Sequence, residues 1–526
     1  MLKNVNATSI RNAIELGCRT MGNVFNRDDR DIPFMQSLAW PDARFEYSEY
    51  HAESHIPGRH LNALLTAEAI VGIHADEEVI QKHAAAAFYS FGGPIPLPLN
   101  RISQNGEPVG EPVRFLDHNI REGMHALYAL SRYRKDQRAD ELMHRAIAFI
   151  SEHFIPEMEW DKAALERLGL IVVQSPLSPF ISGTARAIGP LTKYFRATGY
   201  APALSLAMEL AEEALKSYPP SGEFDPDLME TTHAHSITST MSSLAQLAET
   251  LNDQNLMNRV RMFYDVGLPK LRNELGWAAE NTDPEVLPAK GEVNTSGDIV
   301  ETALILGSFY DPYYFEDAER IIRGHILPSQ LRDISFIRNP ENPEGKDALR
   351  EVAERHLGAF GFPAPYGHHP RGLECISFNM DIVGGAVASL CEAYALCASY
   401  KNGIHRVNML FDCQTEYLRV ESPYTHDALS VTVEQPGPLF VRIPSWVDRS
   451  ELRIIGVTWY ISGDWIFVPQ PVVGVPVRIE FPLTVREITL HHSTHTLRAR
   501  LMGDVVQAME NEGMGKTFFE DFSQGE

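Results

Sequence analysis

The segment HLNALLTAEAIVG (residues 60–72) decides the fold class of this chain. It opens with polar side chains and continues in Ala, Leu, Ile and Val at helical spacing, which predicts a buried helix with a polar first turn. Similar apolar segments open with Asp117, His118, Asn119 and Glu122; with Ser182 and Thr184; with His233 and His235; with Asp298 and Glu301; and with Cys375 and Asn379. Six buried helices with polar N-terminal ends predict a ring that has a pocket at that end.

A more amphipathic segment follows most of these apolar helices. The inner helices are expected near residues 58–73, 115–134, 181–198, 233–251, 298–309 and 379–400, and the outer ones near 8–25, 76–90, 137–153, 201–217, 254–271 and 312–327. Such alternation suits two layers, since the inner helices are buried on all sides and the outer helices on one face. We therefore expect a mainly α protein with an (α/α)6 barrel over residues 1–405. An open helical solenoid is the alternative, and the irregular repeat length disfavours it.

The pattern changes after residue 405. Segments such as ALSVTVEQPGPLFVRIPSW (428–446) alternate apolar and polar residues and are separated by Gly, Pro and Asp. This alternation is typical of strands with one buried face. We expect a C-terminal β-sandwich accessory domain over residues 406–511 and a flexible tail over residues 512–526.

Charge and composition exclude several classes of partner. The chain has 46 basic and 70 acidic side chains, a formal charge of −24, so nucleic acid and anionic membranes are not expected partners. The N-terminal residues lack the pattern of a secretory signal, and no run of 18 apolar residues predicts a membrane span. Five cysteines without a CxxC spacing indicate reduced thiols and a cytoplasmic protein. A homodimer is compatible with the sequence.

The first candidate site lies in AKGEVNTSGDIVETALILG (289–307). Asp298 and Glu301 are three residues apart, so both can lie on one face of the predicted helix near its N-terminus. Glu292 precedes this helix in a polar loop. We expect Glu292 and Asp298 to act as catalytic carboxylates; the alternative is that Asp298 only caps or stabilises the helix.

The second candidate lies in FGFPAPYGHHPRGLECISFNMDIVGGAVASL (360–390). Its glycines and prolines allow the backbone to reverse and to deliver polar side chains to the last inner helix. A thiol at a helix N-terminus beside His and Arg can become a nucleophile, so Cys375 and Glu374 are further catalytic candidates. The alternative for Cys375 is a small buried side chain. Substrate-binding candidates in this segment are Tyr366, His368, His369, Arg371 and Asn379.

Histidines provide the remaining candidates. His233 and His235 are two residues apart, a spacing that does not place them on one face of a helix. At the start of a helix, however, they can line a pocket wall or lie in the core, and a metal pair is less expected than either. His60, Asp117 and His118 also head apolar segments and are expected to bind substrate. The sequence contains none of the motifs GxGxxG, GxxxxGK[ST], GxSxG and HExxH, which disfavours nucleotide, hydrolase-elbow and zinc-protease sites.

Three segments resemble glycoside hydrolase family 127, the β-L-arabinofuranosidases. LFVRIPSWV (439–447) and the following GDWIFVPQPVVGVPVRIEFPLTVREI (463–488) are similar to the β-domain pattern of that family. GEVNTSGDIVETALILG (291–307) is similar to its Glu-x-Cys segment, and LECISFNMDIVGGAVASL (373–390) to its Cys-Cys-x-x-Asn segment. The resemblance implies a six-hairpin α/α barrel followed by β-sandwich material, with Glu292 as a site glutamate and Cys375 as the nucleophilic cysteine.

The resemblance also implies a zinc ion held by one glutamate and three cysteines, and here the sequence departs from the family. Asn294 and Ile376 occupy two of the cysteine positions. Without two thiolates a tetrahedral Cys/Glu zinc site cannot form at these positions. We therefore expect no metal and no cofactor.

The sequence as a whole predicts a glycoside hydrolase that acts on a small oligosaccharide or glycoside, an L-arabinofuranoside being one candidate. A uronate lyase or sugar epimerase on the same barrel is one alternative, in which His233, His235 and Tyr366 would move a proton. A sugar-binding relative that has lost its metal and its catalysis is the other.

Overall fold

A computed structural model describes residues 9–155, 159–173, 179–492 and 495–522, and its helices occupy most of the first 400 residues. They are α1 (Ile10–Met21), α2 (Ile56–Thr66), α3 (Glu77–Ser90), α4 (Ile120–Ala129), α5 (Gln137–His153), α6 (Lys162–Arg167), α7 (Ile188–Thr198), α8 (Ala201–Ala214), α9 (Pro226–Met229), α10 (Ala234–Leu251), α11 (Gln254–Val266), α12 (Val293–Phe309), α13 (Tyr313–Ile321), α14 (Val352–His356) and α15 (Met380–Cys397). One π-helical turn extends each of α2, α4 and α13 at its C-terminal end.

Six of these helices form a closed ring. In chain order α2, α4, α7, α10, α12 and α15 each contact the next, and α15 contacts α2. A second layer surrounds them, because α3, α5, α8, α11 and α13 each pack on the inner helix before them and α1 packs on α15. These are the six pairs that the alternation of apolar and amphipathic segments predicted.

Burial explains the composition of the inner helices. Every residue of α12 from Val293 to Leu306 is buried, and so is α10 from Ala234 to Ala248. Among the described residues, α15 is by length and composition the one helix that could cross a membrane, but 78% of it is buried inside the protein. Its apolar character follows from its place in the ring, where it contacts α1, α2 and α12.

Strands occur between the helices and throughout the C-terminal region. Those among the helices are β1 (Phe25–Asn26), β2 (Ile32–Pro33), β3 (Gln36–Trp40), β4 (Arg44–Glu46), β5 (Asn100–Gln104), β6 (Glu107–Phe115), β7 (Phe154–Ile155), β8 (Glu159–Trp160), β9 (Ile171–Val172) and β10 (Ile376–Asn379). The C-terminal ones are β11 (Ala398–Lys401), β12 (Ile404–Val407), β13 (Cys413–Gln414), β14 (Leu418–Glu421), β15 (Leu429–Val433), β16 (Leu439–Arg442), β17 (Arg453–Ile454), β18 (Tyr460–Ser462), β19 (Trp465–Val468), β20 (Val477–Glu480), β21 (Val485–His492), β22 (His495–Met502) and β23 (Val505–Met509).

The C-terminal strands form two five-stranded sheets and one three-stranded sheet. The orders are β11-β12-β16-β19-β18, β13-β14-β15-β20-β17 and β21-β22-β23. Alternate residues such as Val431 of β15 and Val441 of β16 are buried in one core shared with the helices. Because β11 begins at Ala398, directly after α15, the β-rich region starts a few residues before the predicted residue 406.

The C-terminal residues differ from the predicted flexible tail. Phe518 and Phe519 are buried in a small second core together with Tyr366, and the Phe518 amide donates to the Tyr366 carbonyl over 2.8 Å. The aromatic side chains of FFEDF (518–522) hold this segment against the protein because they bury apolar surface. Residues 523–526 of the predicted tail lie outside the described residues.

A buried ion-pair network fixes the β-rich region to the helices. Arg442 of β16 contacts Glu316 and Glu319 of α13 over 3.1 and 2.5 Å. Glu319 also binds Arg323 over 2.9 Å, and Arg323 donates to the Leu410 carbonyl over 2.8 Å. Each charge has an opposite charge as partner, which buried ions require.

Four buried histidines make the stability of the fold depend on pH. Burial lowers the pKa to about 4 for His60 and His356 and to about 3 for His325 and His368. Unfolding raises each pKa toward 6.5, so the unfolded chain binds more protons below that pH. We expect the free energy of unfolding to fall as pH drops from 6.5 toward 4, by up to ~1.4 kcal/mol per pH unit for each histidine. Chemical denaturation at pH 7, 6 and 5 measures this slope.

His325 is the sharpest single test, because neither ring nitrogen has a hydrogen-bond partner among the described residues. An apolar side chain there removes a buried unpaired polar group. His325→Leu should therefore reduce the slope by ~1.4 kcal/mol per pH unit without loss of stability at pH 7. His74→Leu is the matched control, because His74 is exposed in the folded state. An unchanged slope in His325→Leu would contradict the burial of a neutral ring.

Candidate active site

One buried carboxylate organises the polar ends of the inner helices. Glu122, in the first turn of α4, is fully buried, and its Oε1 atom contacts three guanidinium groups. The distances are 2.9 Å to Arg59 of α2, 2.8 Å to Arg121 of α4 and 3.0 Å to Arg186 in the turn before α7. Burial alone would raise the pKa of Glu122, but these cations and His55 hold it well below the ordinary value. Three consecutive inner helices therefore meet at one charged point.

Glu292, the residue immediately before α12, is a second carboxylate of the site. Its Oε2 atom is 3.2 Å from His233 Nε2, and its Oε1 atom is 3.6 Å from His235 Nδ1. The Asn294 amide donates to Glu292 Oε1 over 2.9 Å and to Asp381 Oδ2 over 3.4 Å. The same amide nitrogen thus joins a carboxylate of α12 to a carboxylate in the first turn of α15.

Two aspartates of the site have opposite pKa shifts. Burial raises the pKa of Asp298 to about 7, although Arg121 opposes the shift. Burial would also raise the pKa of Asp381, but the hydrogen bond and charge of His55, followed by the charge of Arg59, lower it to about 2. At neutral pH Asp381 is therefore ionised, and Asp298 is partly protonated. Environments that separate the pKa values of nearby carboxyls are typical of active sites.

Five histidines form a connected layer over these carboxylates. Ring centroids of His118 and His233 are 5.7 Å apart, and those of His55 and His118 are 5.6 Å apart and stacked. His51 adjoins His118, and His235 adjoins His233. Burial lowers the pKa of His51 to about 4 and those of His118 and His235 well below 6.5. Those three imidazoles are neutral at neutral pH and can accept as well as donate hydrogen bonds.

Close approach of α15 to α2 and α12 positions the amide of Asn294. A Cβ atom at Gly385 would lie 1.9 Å from Asn294 Oδ1 and 2.8 Å from Arg59 NH1. A Cβ atom at Gly384 would meet the Arg59 backbone at 2.8 Å. The Gly-Gly pair in α15 is therefore what allows Arg59 and Asn294 to reach Asp381.

The structure brings together several of the predicted site residues. Glu292, Asp298, His233 and His235 lie in direct contact, and His118 adjoins them through the His233 ring. A Cβ atom at Gly183 would meet the Asp117 carboxyl at 2.1 Å, and burial raises the pKa of Asp117 well above its ordinary value. These residues head neighbouring helices, as the sequence predicted.

Other predicted substrate-binding residues have different environments, which corrects the prediction. His60 is buried between helices, where one ring nitrogen is 2.8 Å from the Met380 carbonyl and the other is 3.3 Å from His83. Tyr366 and His368 are buried beside Phe518 or its neighbours, away from any contact with Glu292 in the described part of the chain.

The rest of the second predicted segment faces outward. His369 is half-buried and contacts the Leu373 carbonyl over 2.7 Å. Arg371 is exposed and pairs with Glu512 over 3.2 Å, and Glu374 is exposed as well. The glycines and prolines of residues 360–375 carry these side chains toward the C-terminal segment rather than to Glu292.

Strand β10 lies between Cys375 and the last inner helix, α15, and Asn379 is the last residue of that strand. Strand β10 pairs antiparallel with β3, so four extended residues, ~13 Å of chain, separate Cys375 from α15. Half-buried Cys375 makes no hydrogen bond among the described residues, and Asn379 begins α15 without a side-chain cap. The predicted thiol at a helix N-terminus is therefore wrong in position, because β10 intervenes; the residue in the first turn of α15 is Asp381.

The donor set of the family zinc site does not fit these residues. The side-chain nitrogen of Asn294 points at Glu292 and Asp381, so an N–H group faces the position where a thiolate would be needed. Ile376 is buried and offers no donor atom. A Cys/Glu zinc site is thus incompatible with the chemistry of these side chains.

Several residues of the site were not among the predicted site residues, including His51, His55, Arg59 and Asp381. His51, His55 and Arg59 are four residues apart, and the His55 and Arg59 amides donate to the carbonyls four residues earlier. That i, i+4 spacing was a usable signal for one helical face, but the predicted inner helix began only near residue 58. Asp381 gave a weaker signal, since it is a single acid inside an apolar run.

The sequence matches no protein-family model and no curated protein. Solved structures do superpose. A GH127 β-L-arabinofuranosidase from Geobacillus stearothermophilus T6 gives a TM-score of 0.53 at 15% identity, covering 94% of this chain and 80% of that one. A second GH127 β-arabinofuranosidase gives 0.55 at 13%, covering 94% and 78%. A sugar epimerase from a ruminal bacterium gives 0.50 at 12%, covering 73% and 97%.

These likenesses establish the fold, and they confirm the resemblance to glycoside hydrolase family 127 that the sequence motifs indicated. The superposition spans both the helices and the β-rich region. At such low identity a shared fold does not transfer chemistry, which has to be argued from the site itself.

The packing of Gly385 against Asn294 and Arg59 can be tested by Gly385→Ala. The added methyl group overpacks the contact between α15 and α12, which outweighs the gain of up to ~1 kcal/mol in helix propensity. We expect a net loss of roughly 1–2 kcal/mol in the free energy of unfolding, measured by urea denaturation. Gly515→Ala is the matched control, because nothing lies within 4 Å of a Cβ atom there, and it should change stability by less than ~0.5 kcal/mol. Equal stability of both variants would contradict the close approach.

Proposed function

We propose that the protein is a glycoside hydrolase that cleaves a small oligosaccharide or glycoside in the mouth of an (α/α)6 barrel, with the β-rich region as a β-sandwich accessory domain. The observation that carries this proposal is the pair of carboxylates, Glu292 and Asp381, that share the amide of Asn294. Glycoside hydrolysis in most families needs two carboxyl groups on either side of the scissile bond.

The shared amide keeps the two carboxylates close together. The nearest oxygens of Glu292 and Asp381 can be no farther apart than their two hydrogen bonds, 2.9 Å and 3.4 Å, laid end to end. Retaining enzymes hold their carboxyl groups ~5–5.5 Å apart, and inverting enzymes ~6.5–9.5 Å apart, to leave room for a water molecule. The limit set by Asn294 admits both ranges, so the case for a retaining reaction rests on the environment of Asp381.

The environments of the two carboxylates support different roles. Asp381 has its pKa lowered to about 2 by its surroundings, as described above, and its Oδ1 atom has no hydrogen-bond partner in the described part of the protein. An ionised oxygen without a partner suits a nucleophile. Glu292 lies between two histidines at the outer side of the pair, which suits a group that exchanges protons with substrate and water.

The proposed reaction then has two steps. In the first, Asp381 Oδ1 forms a bond to the anomeric carbon while the glycosidic C–O bond breaks, and Glu292 donates its proton to the departing oxygen. In the second, Glu292 takes a proton from water as the water oxygen attacks the anomeric carbon and releases the Asp381 carboxylate. The first substrate class to test is β-L-arabinofuranosides, because one superposed structure carries that activity in its name and a second is named as a β-arabinofuranosidase.

The test is turnover of a panel of aryl glycosides by five variants of the full chain. Asp381→Asn and Glu292→Gln should each lower kcat/KM by roughly a thousandfold, since each removes a group that acts in the transition state. Cys375→Ala and Glu374→Gln are controls near the same helix and should retain activity. Azide should restore turnover of Asp381→Ala and yield a glycosyl azide, and NMR of the first product should show the anomer of the substrate.

Two results would contradict the assignment. Loss of activity in Cys375→Ala with full activity in Asp381→Asn would transfer the nucleophile to the thiol. An inverted first product would exclude a covalent intermediate on Asp381.

Sugar epimerisation is the second candidate, and the neutral rings of His51, His118 and His235 in the histidine layer favour it. Neutral imidazole is a suitable base for removing a proton next to a carbonyl group. An epimerase would incorporate solvent deuterium into an unhydrolysed sugar, whereas the proposed hydrolase would release a reducing sugar without such exchange.

A further inference from the structure

Three side chains of the site present metal-ligand atoms to one another. His233 precedes α10, His235 is in its first turn, and Glu292 precedes α12, the next helix of the ring. One donor atom from each lies within 4.8 Å of the others. The closest approaches are 3.2 Å from His233 Nε2 to Glu292 Oε2 and 3.6 Å from His235 Nδ1 to Glu292 Oε1.

We propose that His233, His235 and Glu292 bind a divalent first-row transition-metal ion of the zinc class. Two imidazole nitrogens and one carboxylate oxygen are a donor set that such ions prefer, and three protein ligands leave a coordination position for water or a substrate hydroxyl. His233 is half-buried, and the other two residues are buried. This set shares Glu292 with the family zinc site but uses no cysteine position.

The surroundings of the three ligands support this proposal. Metal-bound histidines commonly donate their other ring N–H to a fixed acceptor, and ligating carboxylates are themselves hydrogen-bonded. His233 Nδ1 is 2.7 Å from Ser236 Oγ, and His235 Nε2 is 3.3 Å from Asp298 Oδ2. Asn294 donates to Glu292 Oε1 over 2.9 Å. Each ligand is thus held by a partner on the side away from the metal position.

The spacing of the two histidines is explained by the start of α10. A spacing of two separates side chains on a helix, but His233 has extended backbone angles (φ −80°, ψ 100°) and lies just outside it. Its side chain therefore reaches Glu292 from the loop, while that of His235 reaches it from the helix.

One contact competes with the metal. Arg59 NH2 is 3.1 Å from His235 Nε2, and it can donate there only when the ring proton is on Nδ1, the atom that would bind the metal. Metal binding at Nδ1 therefore requires the ring proton of His235 to be on Nε2. In that state the Nε2–H group donates a hydrogen bond to Asp298. Arg59 keeps its ion pair with Glu122 in both states.

Metal binding would also affect turnover, a consequence that rests on the proposed hydrolase. A metal ion bound to Glu292 prevents that carboxyl from carrying a proton, so zinc should inhibit turnover and a chelator should restore it. Metal binding itself does not depend on the hydrolase proposal.

The experiment measures metal content and affinity of the untagged full-length protein. The protein is dialysed against chelator, titrated with Zn2+ by calorimetry, and loaded with Co2+ for visible absorption spectra. Wild type should bind one equivalent and show the intense bands of a low-symmetry cobalt site. His233→Ala should weaken binding by at least about a hundredfold, and Ser236→Ala by roughly tenfold, since outer-shell changes typically cost ~10–100-fold.

His51→Ala is the matched control, because His51 belongs to the same layer of rings but not to the ligand group. It should bind zinc as wild type does. Binding below a tenth of an equivalent in wild type, or equal binding by His233→Ala and His51→Ala, would overturn the site. If the metal site is overturned, glycosidase activity of the metal-free protein would still support the proposed function. Activation of turnover by zinc would instead support the metal site and refute Glu292 as the proton donor.

Discussion

The burial of Glu122 is the constraint on which the rest of the site depends. A carboxylate removed from water is costly unless cations and hydrogen bonds replace its solvent. Here three guanidinium groups from α2, α4 and the turn before α7 converge on Oε1. Each of these arginines has to project inward from the start of its own segment. The charge balance at Glu122 thus fixes the N-terminal ends of consecutive inner helices at the same level, and a mouth with polar walls results.

That convergence gives neighbouring carboxyls different chemistry. Arg59 contacts Glu122 directly and also lies 3.9 Å from Asp381, so it helps to keep Asp381 ionised. Asp298 lies 3.5 Å from Arg121, but the nearby Glu301 charge opposes that contact, and burial prevails there. Within one cluster the protein thus holds a strong and a weak carboxylic acid. The two pKa values separate because His55 contacts Asp381 over 3.3 Å, whereas the Glu301 charge lies near Asp298.

The sequence predicted the ring better than it predicted the site, for a physical reason. Helical periodicity and terminal polar residues are local properties, so the inner helices and their partners could be read directly from segments such as residues 60–72. Whether a side chain reaches the site depends on where the strand or loop before a helix ends and the helix begins. Cys375 was placed at a helix start because β10 was not recognised, whereas Asp381 was missed because it is a single acid in an apolar run. His51 and His55 show a different error, since their helical spacing lies just before the predicted start of the helix near residue 58.

The likeness to GH127 structures and the departure from the family zinc residues have a common explanation in the packing of α15. Gly385 permits a side chain at position 294 to lie against this helix, and any residue there meets both Glu292 and Asp381. A thiolate at that position would add negative charge between two carboxylates and would need a cation to balance it. The Asn294 amide instead presents N–H groups, which bind both carboxylates without a metal. Exchange of one side chain at this position thus changes which metal-ligand sets the same fold can support, and it leaves His233 and His235, at the start of α10, as the nitrogen donors beside Glu292.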